Sequence, residues 1–351
     1  MKKTGAAATT TVYTRILSRG LDMNIIASNG GIVNITVNNS FGAEMDMKPG
    51  RQKWKIKKER AQIMADKLQA IGEVARAGRM RMCATYIVGK ECPSCGQIHV
   101  EYTKLCRDRL CPVCQWRLSM RRFATMYTIV DGLQTAYPES QWQFVTLTLR
   151  NCQPEDLGRT IDQMSAAWNK IASNPVFKEF YRGWARSLEI TYNPTTNTLH
   201  PHYHILLMQH SRFGGKYVQR SWCRLLKSAT SAEAQCTETI DMAAGEEINT
   251  DAILETYKYA FKSDEIADMP LSVFRALVKG IKGRRLVAFG GKIKEYAKQC
   301  ELSPIDTASE DDEQEAAALI KRCIRCGNTG MIDVVGRWNR NGYEWREGIV
   351  D

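Results

Sequence analysis

The sequence predicts an α+β fold, in which short strands pair antiparallel and amphipathic helices pack on the sheet they make, with a cysteine-rich module inserted into or preceding them. Three observations carry that expectation. Residues 142–149 (Trp142-Gln143-Phe144-Val145-Thr146-Leu147-Thr148-Leu149) are rich in β-branched and aromatic side chains, the composition of a buried strand. Two further strand-like runs, 187–192 and 200–207, flank Asn193-Pro194-Thr195-Thr196-Asn197, whose residue types favour a tight turn and therefore a hairpin. Leu157, Ile161, Met164, Trp168 and Ile171 recur at helical spacing, which gives one apolar stripe to lay on the sheet.

Length and composition set the outer bounds. A chain of 351 residues, 44% hydrophobic, is long enough for one large or two modest domains with a real core. Its net charge of +11 favours a polyanionic partner, because clustered Lys and Arg gain from releasing counterions; nucleic acid ranks ahead of an anionic membrane surface. There is no run of about 18 apolar residues that would span a membrane. The start, Met1-Lys2-Lys3 followed by an Ala/Thr tract, lacks the apolar core of a secretory signal, so a cytoplasmic protein is expected. In such a chain, clustered Cys-x-x-Cys pairs among 12 cysteines point to zinc and not to disulfides.

Taken in order, residues 1–50 are rich in Thr, Asn, Gly and Ala and read as a mobile N-terminal segment with one short strand near 31–37. Residues 51–125 combine a basic helix with the cysteine block. The helix opens with Arg51-Gln52-Lys53-Trp54-Lys55-Ile56-Lys57-Lys58 and continues through Ile63, Met64, Leu68 and Ile71; its charges fit a solvated face as well as they fit DNA. The block contains Cys83, then Cys92-Pro93-Ser94-Cys95, then Cys106-Arg107-Asp108-Arg109-Leu110-Cys111-Pro112-Val113-Cys114. Two knuckles offer two thiolates each to one tetrahedron, so the expected structural Zn²⁺ site is Cys92, Cys95, Cys111 and Cys114, with Cys106 or Cys83 able to replace a member. Four thiolates leave no open position for catalysis. Arg107, Arg109, Arg117, Arg121 and Arg122 would stand on that platform, placed for phosphate contact or simply for solubility.

Residues 126–298 hold the strands and the amphipathic helix, and close on a second basic stretch around Lys282, Arg284, Arg285, Lys292 and Lys294 that suits a DNA path. Residues 299–351 comprise an acidic linker and a small terminal segment. That segment carries Cys323-Ile324-Arg325-Cys326, half a zinc ribbon without an obvious second pair. It also interleaves Arg337, Trp338, Arg340, Tyr343, Trp345 and Arg346, a pattern that fits base stacking and a small packed β-unit equally.

The chemistry concentrates in His200-Pro201-His202-Tyr203-His204, where three of the five histidines lie. In a strand, His202 and His204 share one face while Tyr203, Ile205 and Leu207 take the other. A turn centred near Thr195 and Thr196, without a bulge, puts Glu189 opposite His202 and diagonal to His204. Two imidazoles and a carboxylate then form a metal site with open positions, and a one-residue slip would send Glu189 to the wrong face. Downstream, residues 251–262 read as a helix in which Leu254, Tyr257 and Phe261 share an apolar face, and Glu255, Tyr259 and Lys262 another. Tyr257 is then core, and Tyr259 is the tyrosine free to face a site.

These blocks, in this order, resemble the plasmid rolling-circle replication initiators (Rep proteins), members of the HUH endonuclease superfamily. Residues 144–151 look like the family's first motif, 200–207 like its metal-binding motif and 255–262 like its nucleophile motif; 106–117 is similar to the cysteine block of one branch, and 286–295 to the segment that closes the domain. The resemblance covers about residues 50–298. It implies a central antiparallel sheet flanked by helices, with the histidine strand in its middle, and a divalent ion, Mg²⁺ or Mn²⁺, held by His202, His204 and Glu189 at a scissile phosphate of single-stranded or hairpin origin DNA. Tyr259 is implied as nucleophile, Glu255 as the base that activates water at the end of the cycle, and Lys262 as a phosphate or phenolate partner. A host helicase and DNA polymerase are the implied protein partners. Alternatives within reach of the same residues are a relaxase or transposase, and a non-catalytic zinc-ribbon DNA-binding protein.

Overall fold

Among the described residues the expected strands and helices form, several of them longer than their sequence signals. The structure, a computed structural model, describes residues 22–26, 32–36, 50–210, 217–230, 235–242, 263–300, 302, 323, 326 and 328–348. The chain divides into two units, Met1–Thr125 with Thr307–Asp351, and Met126–Asp306. In chain order the first unit carries β1 (Asp22–Ile26), β2 (Ile32–Thr36), α1 (Gly50–Ala70), α2 (Val74–Met82), β3 (Tyr86–Glu91), β4 (Ile98–Thr103) and the start of α3 (Pro112–Ala136). The second unit continues with β5 (Gln141–Thr148), a 3-10 turn (Pro154–Asp156), α4 (Leu157–Ser173), α5 (Pro175–Phe180), β6 (Tyr181–Asn193) and β7 (Thr198–Gln209). It is completed by α6 (Tyr217–Thr230), β8 (Gln235–Met242), α7 (Ser263–Asp268), α8 (Leu271–Ile281), β9 (Val287–Gly290) and α9 (Gly291–Gln299). β10 (Ile332–Asn339) and β11 (Gly342–Glu347) return to the first. Among the described residues no helix is long and apolar enough to cross a membrane.

In the second unit the five strands order as β8-β5-β7-β6-β9, each pair antiparallel, so the histidine strand β7 is central. The turn sets its register. Asn193 Oδ1 accepts from the backbone N–H groups of Thr195 (3.0 Å) and Thr196 (3.2 Å), and Asn197 adopts φ 52°, a left-handed conformation asparagine tolerates. Pairing then runs without slip from Asn193↔Thr198 to Trp184↔Leu207, and the irregularity between Tyr181 and Gly183 lies at the far end.

The face of β7 bearing Tyr203 is covered by helices. The Tyr203 hydroxyl bonds Ser165 Oγ on α4 (3.0 Å), its ring lies 5.9 Å from Trp222 on α6, and Arg186 sits 4.3 Å over it. Trp222 donates its indole N–H to the Thr148 carbonyl (3.0 Å). On α4 the expected stripe of Leu157, Ile161, Met164, Trp168 and Ile171 is buried, with Trp168 edge-on to Trp184 of β6. Trp168 is fully buried, and truncating such a side chain costs roughly 3–5 kcal/mol.

The first unit has its own four-stranded antiparallel sheet, ordered β11-β10-β3-β4. Strands β10 and β11, expected in a separate terminal segment, therefore complete a sheet begun at Tyr86. At a bulge between Val88 and Gly89 a Cβ on Gly89 would stand 2.4 Å from the His99 carbonyl oxygen, so only glycine fits. The terminal aromatics pack on one another, with ring centroids 4.9 Å (Trp338–Tyr343) and 5.3 Å (Tyr343–Trp345) apart, and Arg51 lies 5.6 Å over Trp345. The aromatics thus form a packed β-unit while staying half-exposed, with Arg337, Arg340 and Arg346 exposed beside them. Helix α1 buries Trp54, Lys58, Ala61, Met64, Ala65 and Leu68 along one stripe, so the basic helix turns one of its lysines inward. The residues expected near 31–37 form β2, paired with β1.

His99 on β4 is buried and its Nε2 has no hydrogen-bond partner among the described residues; burial, with the Arg117 charge adding, pushes the imidazole down to about 4. In the unfolded chain it titrates near 6.5. As the pH falls the unfolded state takes the proton first, so this contribution is present above about pH 6.5 and is lost as the pH falls toward 4, amounting to about 3 kcal/mol at most. In urea titrations, His99→Leu is expected to lose less stability between pH 6.5 and 4.5 than the parent. Equal pH slopes in the two proteins would contradict this.

Candidate metal centre and cysteine clusters

Three adjacent strand positions build the candidate centre. The β6–β7 register pairs Glu189 with His202, and the β5–β7 register pairs Thr146 with His204 and Thr148 with His202. Alternation puts Glu189, His202, His204 and Thr146 on the face opposite Tyr203. Glu189 Oε2 lies 3.1 Å from His202 Nε2 and 2.8 Å from His204 Nε2, and all three side chains are buried. A carboxylate so enclosed is costly unless compensated. Burial raises the Glu189 carboxyl, but the hydrogen bonds and charge of His202 and His204 outweigh this and hold it well below the usual carboxylate range.

The outer nitrogens explain how the rings are aimed. His202 Nδ1 lies 3.3 Å from the His200 carbonyl oxygen, a contact that turns Nε2 toward Glu189 Oε2 at 3.1 Å. His204 Nδ1 is held by Thr146 Oγ1 (3.1 Å), and Phe144 stacks on the ring at 5.6 Å and 15°. Glu189, His202 and His204 offer one ligand atom each, all within 4.8 Å of one another, and thus fit a divalent ion with further positions open. His200 lies outside this triad; its ring is 5.2 Å from His202, and its backbone carbonyl contacts the Nδ1 of that ring.

Thr146 and Phe144 were not singled out from the sequence. Both lie in the strand-like run 142–149, and the period-two pattern puts them on one face; what the sequence lacked was the β5–β7 register that brings this face to His204. Glu255, Tyr257, Tyr259 and Lys262, the candidate nucleophile helix, lie outside the described residues.

The cysteines gather differently from the expected tetrad. Cys111 and Cys114 join Cys83 and Cys106, while Cys92 and Cys95 join Cys323 and Cys326; within each set the sulfurs all lie within 4.8 Å. Cys92, Cys95, Cys111 and Cys114 therefore do not form one site. The reason is topological. Cys92 follows β3, and β3 pairs with β10, so the neighbours of that knuckle come from the distal end of the chain. The Cys111 knuckle instead begins α3, where Asp108 Oδ1 accepts from Leu110 N (3.0 Å), and its other carboxylate contacts are with Arg76 (2.8 Å).

Of the arginines expected to meet DNA, Arg107, Arg109 and Arg117 are half-buried and Arg285 is exposed. Arg121 is buried, like its neighbour Arg122, and so does not present a guanidinium on the surface as expected. Arg284 is bidentate to Asp162 (2.8 and 2.6 Å) and bonds the Gly280 carbonyl (2.8 Å), a bridge between α4 and α8 that holds the Asp162 carboxyl below its usual range.

The chain has relatives among known proteins. The replication-protein family Rep_1 matches residues 97–327, which include the whole triad. A Rep protein of Bacillus amyloliquefaciens is 29% identical, across 82% of this chain and 92% of its own length. One from Streptococcus pneumoniae is 30% identical, across 64% of this chain and 74% of its own, and a replication protein of Staphylococcus aureus is 25% identical across 51% and 83%. No solved structure matches the chain. With the family model spanning well over half of its length, the chain belongs to the replication-protein family, that of the plasmid Rep initiators.

Proposed function

We propose that this chain starts plasmid rolling-circle replication by cutting one strand of its origin, remaining joined to the 5′ end, and later rejoining it. The observation that carries the reading is the buried Glu189–His202–His204 triad on the central strand of an antiparallel sheet, in a chain of the Rep family. The α+β architecture with helices against the sheet is compatible with the HUH endonuclease fold, which forms part of the proposal. The net charge of +11 suits single-stranded or hairpin origin DNA as substrate.

Glu189, His202 and His204 would hold Mg²⁺ or Mn²⁺, and the ion would withdraw charge from the oxygens of the scissile phosphate. The chain's own residues do the rest. Thr146 and the His200 carbonyl hold the two imidazoles so that both Nε2 atoms converge on one point. In the proposed step the Tyr259 phenolic oxygen bonds to phosphorus, the bond to the 3′ oxygen breaks, and that oxygen leaves as a 3′-hydroxyl able to prime synthesis. Lys262 pairs with the phenolate or a phosphate, and Glu255 takes the proton from the water that ends the cycle. These three assignments rest on the Glu-x-x-x-Tyr spacing and the resemblance described above. A cytoplasmic setting, with a host helicase and polymerase as partners, belongs to the same reading.

Incubated with single-stranded origin DNA and Mn²⁺, the parent is expected to form a covalent adduct stable to denaturing electrophoresis. Tyr259→Phe should abolish it and Tyr257→Phe should not; the reverse pattern would move the nucleophile to Tyr257. Because ligand-orienting partners typically account for about 10–100-fold in metal affinity, Thr146→Val should weaken Mn²⁺ binding by that factor, measured by calorimetric titration. Unchanged affinity in this variant would remove Thr146 from the role given to it.

A further inference from the structure

We propose that the first unit is a two-zinc module, whose second zinc, held by Cys92, Cys95, Cys323 and Cys326, clasps the terminal strand pair to the strands that begin the sheet. The proposal is independent of the nicking reading. It rests first on geometry. Sulfur–sulfur distances are 3.4 Å for Cys92–Cys326 and 3.6 Å for Cys95–Cys323 in one set, and 3.6 Å each for Cys83–Cys114, Cys106–Cys114 and Cys83–Cys111 in the other. A disulfide requires about 2.05 Å, so neither set is cross-linked. Four thiolates around one Zn²⁺ at about 2.3 Å stand roughly 3.8 Å apart along each tetrahedral edge, which is the arrangement both sets approach.

The backbone builds both halves of the clasp. Cys92 and Cys95 occupy the turn between β3 and β4, where Gly96 N donates to the Cys92 carbonyl (2.8 Å) and Gly96 takes φ 67°. On the other side Cys323 N donates to the Asn328 carbonyl (2.6 Å), and the Asn328 side chain bonds Ser94 Oγ, tying one knuckle to the other. β10 then pairs with β3 from Ile332↔Glu91 onward, so the clasp sits where that pairing starts.

The two sites differ in environment. In the first, Cys83, Cys111 and Cys114 are buried, and the wholly buried Lys58 donates from Nζ to the carbonyls of Cys83 and Arg81 (2.6 Å each). A tetrathiolate zinc centre carries two net negative charges, and the Lys58 ammonium offsets part of them at close range. The clasp has no such wall, since Cys326 is exposed and Cys95 half-buried. Its zinc is therefore the more accessible to chelators.

The test uses the full chain, expressed in zinc-supplemented medium and then dialysed into zinc-free Mn²⁺ buffer, so that zinc is counted at the cysteines and not at the open histidine triad. Elemental analysis should find two zinc ions per chain, and a competing chromophoric chelator should remove them in two phases of equal amplitude, the faster one lost in the double variant Cys323→Ser/Cys326→Ser. That variant should retain one slowly released zinc, and hydrogen exchange should quicken across residues 332–347. One zinc per chain in the parent, a single release phase, or a variant that still holds two would overturn the proposal. So would a thiol titration of the metal-free parent showing the clasp cysteines joined as disulfides as isolated. Adduct formation on origin DNA is a separate readout, so failure of either reading is visible without the other.

Discussion

A buried carboxylate shared by two imidazoles is the interaction on which the second unit depends. Stranding a charge such as Glu189 in the interior costs several kcal/mol, and that cost is met only when His202 and His204 face it. The meeting is a matter of register. Moving β6 by one residue against β7 would turn Glu189 toward the helices and leave both histidines without their partner. The side-chain turn made by Asn193, the left-handed Asn197 and the uninterrupted pairing up to Trp184 all serve to forbid that slip.

The central strand divides its labour by face. Tyr203, Ile205 and Leu207 anchor the sheet to α4 and α6, where Ser165 and Trp222 lock the tyrosine from two helices. The opposite face gives up apolar packing for Thr146, Glu189, His202 and His204, each buried and each with a named partner. These side chains stand on regular strands, the two histidines on the central one, and so are positioned by the sheet and not by a loop.

The parts of this arrangement written in local patterns were legible in the sequence. The β6–β7 hairpin, its register and the stripe on α4 follow from turn residues and periods of two and 3.6, all of which act over a few positions. Thr146 escaped notice because its role depends on β5 pairing with β7, across the intervening α4 and β6. The cysteines failed for the same reason on a larger scale. Knuckles adjacent in sequence look like partners, yet β10 returns from the far end of the chain to lie beside β3, and Cys323 and Cys326 arrive with it. The lysine-rich face of α1 likewise concealed Lys58, whose burial answers to a cluster that the sequence could not place beside it.

The central claim is that Glu189, His202 and His204 form one divalent-metal site, and anomalous diffraction from Mn²⁺-soaked crystals tests it most directly. The account predicts a manganese peak in contact with a Glu189 carboxylate oxygen and with Nε2 of both histidines, absent from His202→Ala crystals. A map with no peak at the triad, or with the ion bound elsewhere while the three side chains keep their mutual hydrogen bonds, would contradict it.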